Sequence, residues 1–136
     1  MNFNNLLHKI LVYYSSKFFL RIVIIVSFTV LICFLSLYNF KKNEIIENEI
    51  PFMDKIVHFL MYFAYGIILY INNKSAKIKL PDLIITIYCV VFGFLMEYFQ
   101  YAFFIYRSGD MIDLLSNIAG VILSYIFVNK RKLLQI

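Results

Sequence analysis

Residues 93–120 read GFLMEYFQYAFFIYRSGDMIDLLSNIAG, which sets Glu97 inside an apolar run and Arg107, Asp110, Asp113 and Asn117 shortly after it. Upstream, Asp54, His58 and Tyr62 recur at four-residue intervals. A carboxyl group and an imidazole held together can pass a proton between them near neutral pH, so Glu97 and His58 are candidates for general acid–base work. Asp113 joins them as a third candidate catalytic residue. The planar fork of Arg107 suits a phosphate or carboxylate, and Asp113 and Asn117 could orient such a head group. Asp54 shares a helix face with His58 and could fix its ring. Tyr62 and Gln100 read as hydrogen-bond partners and Asp110 as a further ligand-side acid. His58, Glu97 and Asp113 also form a donor set suited to zinc or manganese. The i, i+4 histidine pair of metalloproteases is absent, so a divalent metal is left open. No nucleophile elbow, Cys–His dyad or serine signature is visible.

Each of these residues also has a plainer reading. Asp110 and Asp113 stand three apart, as in a helix-capping box. Asp54 could serve only the helix dipole, and Arg107 could sit at the lipid head-group level. Glu97 is harder to dismiss: a carboxylate inside a membrane span costs about 3 kcal/mol unless it is paired, wetted or protonated. Its structural alternative is interhelical glue through Gln100 or Asn117.

Four apolar runs must position these groups, over 22–40, 56–71, 83–106 and 114–128. A hydrocarbon core of about 30 Å needs about 20 helical residues, so the second and fourth runs span only with their polar first turns included. The composition agrees: 136 residues that are 62% hydrophobic and 15% charged, with mean hydropathy +0.80, cannot hide their apolar surface in one small soluble core. Pro51 and Pro81 precede the second and third runs, each followed by an acid (Asp54, Asp82), which are helix-start signals. Leu7, Ile10, Leu11 and Tyr14 fall at helical spacing among lysines, predicting an amphipathic interfacial helix over 6–19. The expected fold is all-α: an interfacial segment over 1–20, then a four-helix transmembrane domain over 21–136. Cys33 and Cys89 lie within apolar runs and read as structural thiols. Ile32 stands where a lipobox before Cys33 would need a small residue, so the first run is expected to be an uncleaved helix.

Basic residues orient the bundle. The N-terminal segment, the 72–82 loop and the C-terminus share nine lysines and arginines; the opposite side holds Lys41, Lys42, Lys55 and Arg107. The positive-inside rule then puts both termini in the cytoplasm and accounts for the net charge of +5 without a nucleic-acid partner. In this topology His58 lies roughly 6 Å below Asp54, and Glu97 roughly 15 Å below Arg107. The unusual polar groups therefore fall in the outer half of the membrane. Asp54, His58 and Tyr62 form one stripe, Gly93, Glu97 and Gln100 a second, and Asp113, Asn117, Gly120 and Ser124 a third. Glycines on or near the stripes (Gly66, Gly93, Gly120) would let the helices approach and enclose an outward-facing polar pocket.

The combined pattern resembles the VanZ-like family of small bacterial membrane proteins. It comprises Asp54, Lys55, His58, Phe59, Tyr62 and Gly66; Gly93, Glu97 and Gln100; then Arg107, Asp110, Asp113, Asn117 and Gly120. The resemblance covers residues 50–128. Its founding member is linked to teicoplanin resistance, so the resemblance implies a multi-pass protein of the bacterial inner membrane and a cell-envelope role, without a settled activity. Two function classes stay open. In one, an intramembrane site binds or acts on a lipid-linked envelope molecule, such as a wall precursor, or meets a glycopeptide. In the other, the polar cluster is packing glue in a non-enzymatic structural or binding protein. A small transporter is disfavoured, because no inverted repeat or broken helix is visible. Oligomeric state is not legible.

Overall fold

The computed structural model describes residues 6, 9, 10, 13, 17–37, 52–76, 78–103 and 111–130. These form four helices: α1 (Phe18–Leu37), α2 (Met53–Lys74), α3 (Asp82–Phe103) and α4 (Met111–Lys130). All four are long and apolar enough to cross a membrane, and no strand occurs among the described residues. The all-α, four-span expectation therefore holds. The interfacial segment falls largely outside the described residues, as do Arg107, Asp110 and both chain ends.

The helices exceed the apolar runs where polar turns are tolerated. α2 begins at Met53 and α4 at Met111, so Asp54 and Asp113 occupy first turns, where the helix dipole favours an acid. α3 starts directly after Pro81, whose carbonyl accepts the Ile84 N–H at 2.9 Å. α1 starts four residues before the expected run and takes in Arg21, whose guanidinium lies 5.7 Å from the Phe18 ring centroid. A long cationic side chain at a span's edge can lay its stem along apolar surface and keep its head toward the interface.

α2 and α4 are the most extensively packed pair, with α3 laid against both and α1 more loosely attached. Small residues permit the α2–α4 approach. A Cβ built on Gly120 would lie 2.4 Å from the Phe59 carbonyl oxygen and 2.9 Å from the Phe63 nitrogen, so backbone meets backbone there. A Cβ on Gly66 would lie 2.8 Å from Cβ of Ser124. At Gly93 the same construction meets the Tyr62 ring at 3.2 Å. The interior is filled by Tyr62, Tyr65, Tyr70, Cys89, Val121 and Ile32, while Val26, Val30, Phe34, Leu60, Val91, Phe94 and Ile122 face outward. Outward faces this apolar require lipid as their solvent. α1 is held through Phe28 stacked on Tyr65, and through Thr29 Oγ1 at 2.9 Å from Tyr65 Oη.

Candidate functional site

Because α2 and α4 begin at one end of the bundle and α3 finishes there, the chain order brings three polar stripes to the same end. His58 on α2, Glu97 on α3 and Asp113 and Asn117 on α4 are all buried, with relative exposures of 4%, 7%, 7% and 1%. One donor atom each from His58, Glu97 and Asp113 lie within 4.8 Å of one another. These are the described residues whose donor types and spacing could hold a metal ion.

Asn117 links the cluster. Its Nδ2 donates to Glu97 Oε1 at 3.4 Å, and its Oδ1 lies 3.2 Å from His58 Nδ1. With the amide in this orientation its oxygen faces the ring, so Nδ1–H is the donor in that contact. His58 Nδ1 is also 3.6 Å from Glu97 Oε1. The result is a continuous run of polar contacts from imidazole through amide to carboxylate, crossing from α2 to α4 to α3. In the low dielectric of a membrane interior such contacts are stronger than in water, and an uncompensated group there costs more.

Lys55 closes the site toward the membrane edge. Its ammonium lies 3.0 Å from Asp113 Oδ1 and 2.5 Å from Asp54 Oδ2. The Asp113 contact is an ion pair without hydrogen-bond alignment. Asp54 itself is half exposed, so it marks the rim rather than the interior. Its tie is to Lys55, through both the ammonium and the Lys55 backbone N–H at 3.0 Å. Lys55 was not among the candidate residues read from the sequence. A signal was present: a lysine in the first turn of a helix opposes the dipole and calls for a carboxylate partner.

Gln100 goes elsewhere. It is buried on α3, but its Nε2 donates to the Ser36 carbonyl of α1 at 2.8 Å. It therefore ties α1 to the bundle beside the cluster. Tyr62 is fully enclosed, with its ring against Gly93 next to Asn117 Cβ and its hydroxyl without a hydrogen-bond partner among the described residues. The tyrosine hydroxyl is thus an unspent polar atom in the wall shared by α2, α3 and α4. Both cysteines are free thiols; Cys89 is buried in the interior, away from the acid–imidazole cluster among the core tyrosines.

The chain is 31% identical over 90 residues to an uncharacterized protein of Schizosaccharomyces pombe, an alignment covering 64% of this chain and 55% of that protein. The chain thus spans about half the length of that relative. No solved structure matches. The family model described as VanZ/LLP1 matches residues 5–134, nearly the whole chain. This multi-pass membrane protein, with its acid–imidazole cluster at one end of a four-helix bundle, belongs to the VanZ/LLP1 family.

Proposed function

We propose that this protein binds the polar head of a lipid-linked envelope molecule at the His58–Glu97–Asp113–Asn117 cluster, on the outward face of the cell membrane. The observation that carries the reading is the enclosure of two carboxylates and an imidazole, drawn from three helices, at one end of a lipid-facing bundle. A membrane span that keeps such groups bears a desolvation cost that packing alone does not require. In this reading residues 1–20 form an interfacial segment and 21–136 the binding domain, with both termini cytoplasmic. Glu97 and His58 supply acid–base capacity, and Asp113 and Asn117 orient the head group. Arg107 and Lys55 meet its negative charge at the rim, with Asp54 and Asp110 bordering the entrance. Tolerance to a glycopeptide would follow from altered access to its lipid-linked target. A relative in a yeast favours a head-group chemistry shared beyond bacteria, with phosphate the simplest candidate.

The test is lipid mass spectrometry of the protein purified with its surrounding membrane. The expected result is a lipid-linked anionic molecule enriched over bulk phospholipid with the wild type and lost with Glu97→Gln and Arg107→Ala. A bound lipid pool identical to bulk membrane in all three would overturn the reading. Comparing envelope lipids of cells with and without the protein separates turnover from binding.

A second reading has one observation in its favour. Asn117 bridges α2 and α3 from α4, as interhelical glue would. A cluster with only that role would tolerate Glu97→Gln without functional loss.

A further inference from the structure

We infer that the cluster is a divalent transition-metal site, with His58, Glu97 and Asp113 as protein ligands and an open position toward the rim. The inference rests on the same residues as the proposed head-group site but not on any lipid being bound. Four observations support it. The first is donor chemistry. One imidazole and two carboxylates are borderline-to-hard ligands that suit zinc or manganese, and three protein ligands with a free position are the pattern of open metal sites. The second is distance. Ligand atoms on a tetrahedral zinc lie about 3.3 Å apart, given metal–ligand bonds of about 2.0 Å. One ligand atom each from His58, Glu97 and Asp113 already lie within 4.8 Å of one another, about 1.5 Å wider than that spacing at most.

The third observation is charge. Two buried carboxylates converge with one imidazole, and the Lys55 ammonium stands against one of them. Gathered carboxylates attract a divalent cation, and buried negative charge in a membrane is expensive. A divalent cation reverses that sign and gives an incoming phosphate or carboxylate oxygen a ligand position. The fourth is support. Asn117 Nδ2 donates to Glu97 Oε1 at 3.4 Å, and a ligating carboxylate is normally oriented by such an outer hydrogen bond. Asn117 is thus a positioning residue. Lys55 is the competitor: its ammonium lies against Asp113 Oδ1, where a metal ion would bind.

The experiment uses the full chain, purified in detergent with a tag free of histidine and cysteine, stripped with chelator and dialysed against zinc or manganese. Metal per chain is measured by elemental mass spectrometry. The wild type should retain about one ion per chain. His58→Ala, Glu97→Gln and Asp113→Asn should each lose it while eluting as the wild type does on size exclusion. Asp82→Asn, at the opposite end of the bundle, should leave the stoichiometry unchanged. Asn117→Ala should weaken affinity about 10- to 100-fold without changing the stoichiometry at saturating metal. Lys55→Met should tighten binding. Should any ligand variant fail to fold, cobalt titration of the wild type decides, because a site with these donors gives a visible ligand-field spectrum that zinc abolishes. The inference is overturned if the wild type retains no more metal than Glu97→Gln, if Asp82→Asn removes the ion, or if the cobalt spectrum is that of the hydrated ion. Metal without enriched lipid would leave this inference standing and sink the head-group reading; the reverse result would do the opposite.

Discussion

The two ends of the bundle are both polar, but they spend polarity differently. At the end where α2 turns into α3, the groups close a connection. Asn73 donates to the Leu80 carbonyl and accepts its N–H, both at 2.8 Å, while Lys74 and Asp82 each reach Asn129 on α4. Just inside, Tyr70 Oη meets Thr86 Oγ1 at 2.7 Å, and Thr86 bonds back to the Asp82 carbonyl. Most of these contacts are exposed or half-buried, and they stitch a turn and three helix ends together. At the opposite end the carboxylates and the imidazole are buried, their contacts are longer, and they converge on a space between helices. A network built for stability puts charges where water shares the cost. A network built for chemistry puts them where water does not.

Substitutions at both ends can break or sharpen that contrast. The largest effect is expected from Gly120→Ala. The added methyl meets the backbone of α2, which cannot rotate away, so the α2–α4 pair must part. The expected cost is about 3 kcal/mol, at the upper end of overpacking penalties, read as loss of folded protein in a detergent melt. Gly66→Ala should cost less and be rescued by Ser124→Gly, because its obstacle is a side chain.

Next comes Gln100→Leu. Removing the donor takes away its hydrogen bond to the Ser36 carbonyl between α3 and α1, at about 1 kcal/mol. Its readout is faster labelling of Cys33 as α1 loosens. At the turn end, Asp82→Asn weakens contacts with Asn73 and Asn129 that are exposed or only half-buried, and should cost under about 1 kcal/mol with no functional change. An effect on ligand or metal retention would erase the distinction between the ends. Tyr70→Phe should be smaller still, about 0.5–1 kcal/mol for one part-buried hydroxyl contact whose partner Thr86 keeps its bond to the Asp82 carbonyl.

The sequence made the spans legible because long uncharged runs have few alternatives to crossing a membrane. It was weaker at their edges: the second and fourth helices begin within polar turns, and α1 begins before Arg21, since a helix terminus tolerates charge. The stripes were legible for the same geometric reason. Side chains four apart share a face, so His58, Glu97 and Asp113 could be grouped before any contact was known. The rotation of each helix was not legible. Gln100 shares its stripe with Glu97, yet it faces α1, because α3 packs against α1 as well as α2 and α4 and the stripe is wide enough to address both. Asp54 shares its stripe with His58 and stands one turn out, at the rim, as the helical rise implies. Lys55 was read as a motif residue but not as a site residue, because sequence spacing within α2 says nothing about reach across to α4.

The central claim is that the His58–Glu97–Asp113 cluster is kept for chemistry and not for packing. Glu97→Gln tests it most directly, measured for melting temperature and for metal and lipid retention on the same preparation. The amide keeps an acceptor for Asn117 Nδ2 and removes the buried charge, so packing is preserved while ionisation is lost. The account predicts a melting temperature equal to or above wild type, with retention abolished. A melt lowered as far as that of Gly120→Ala, with retention intact in the surviving folded fraction, would contradict it.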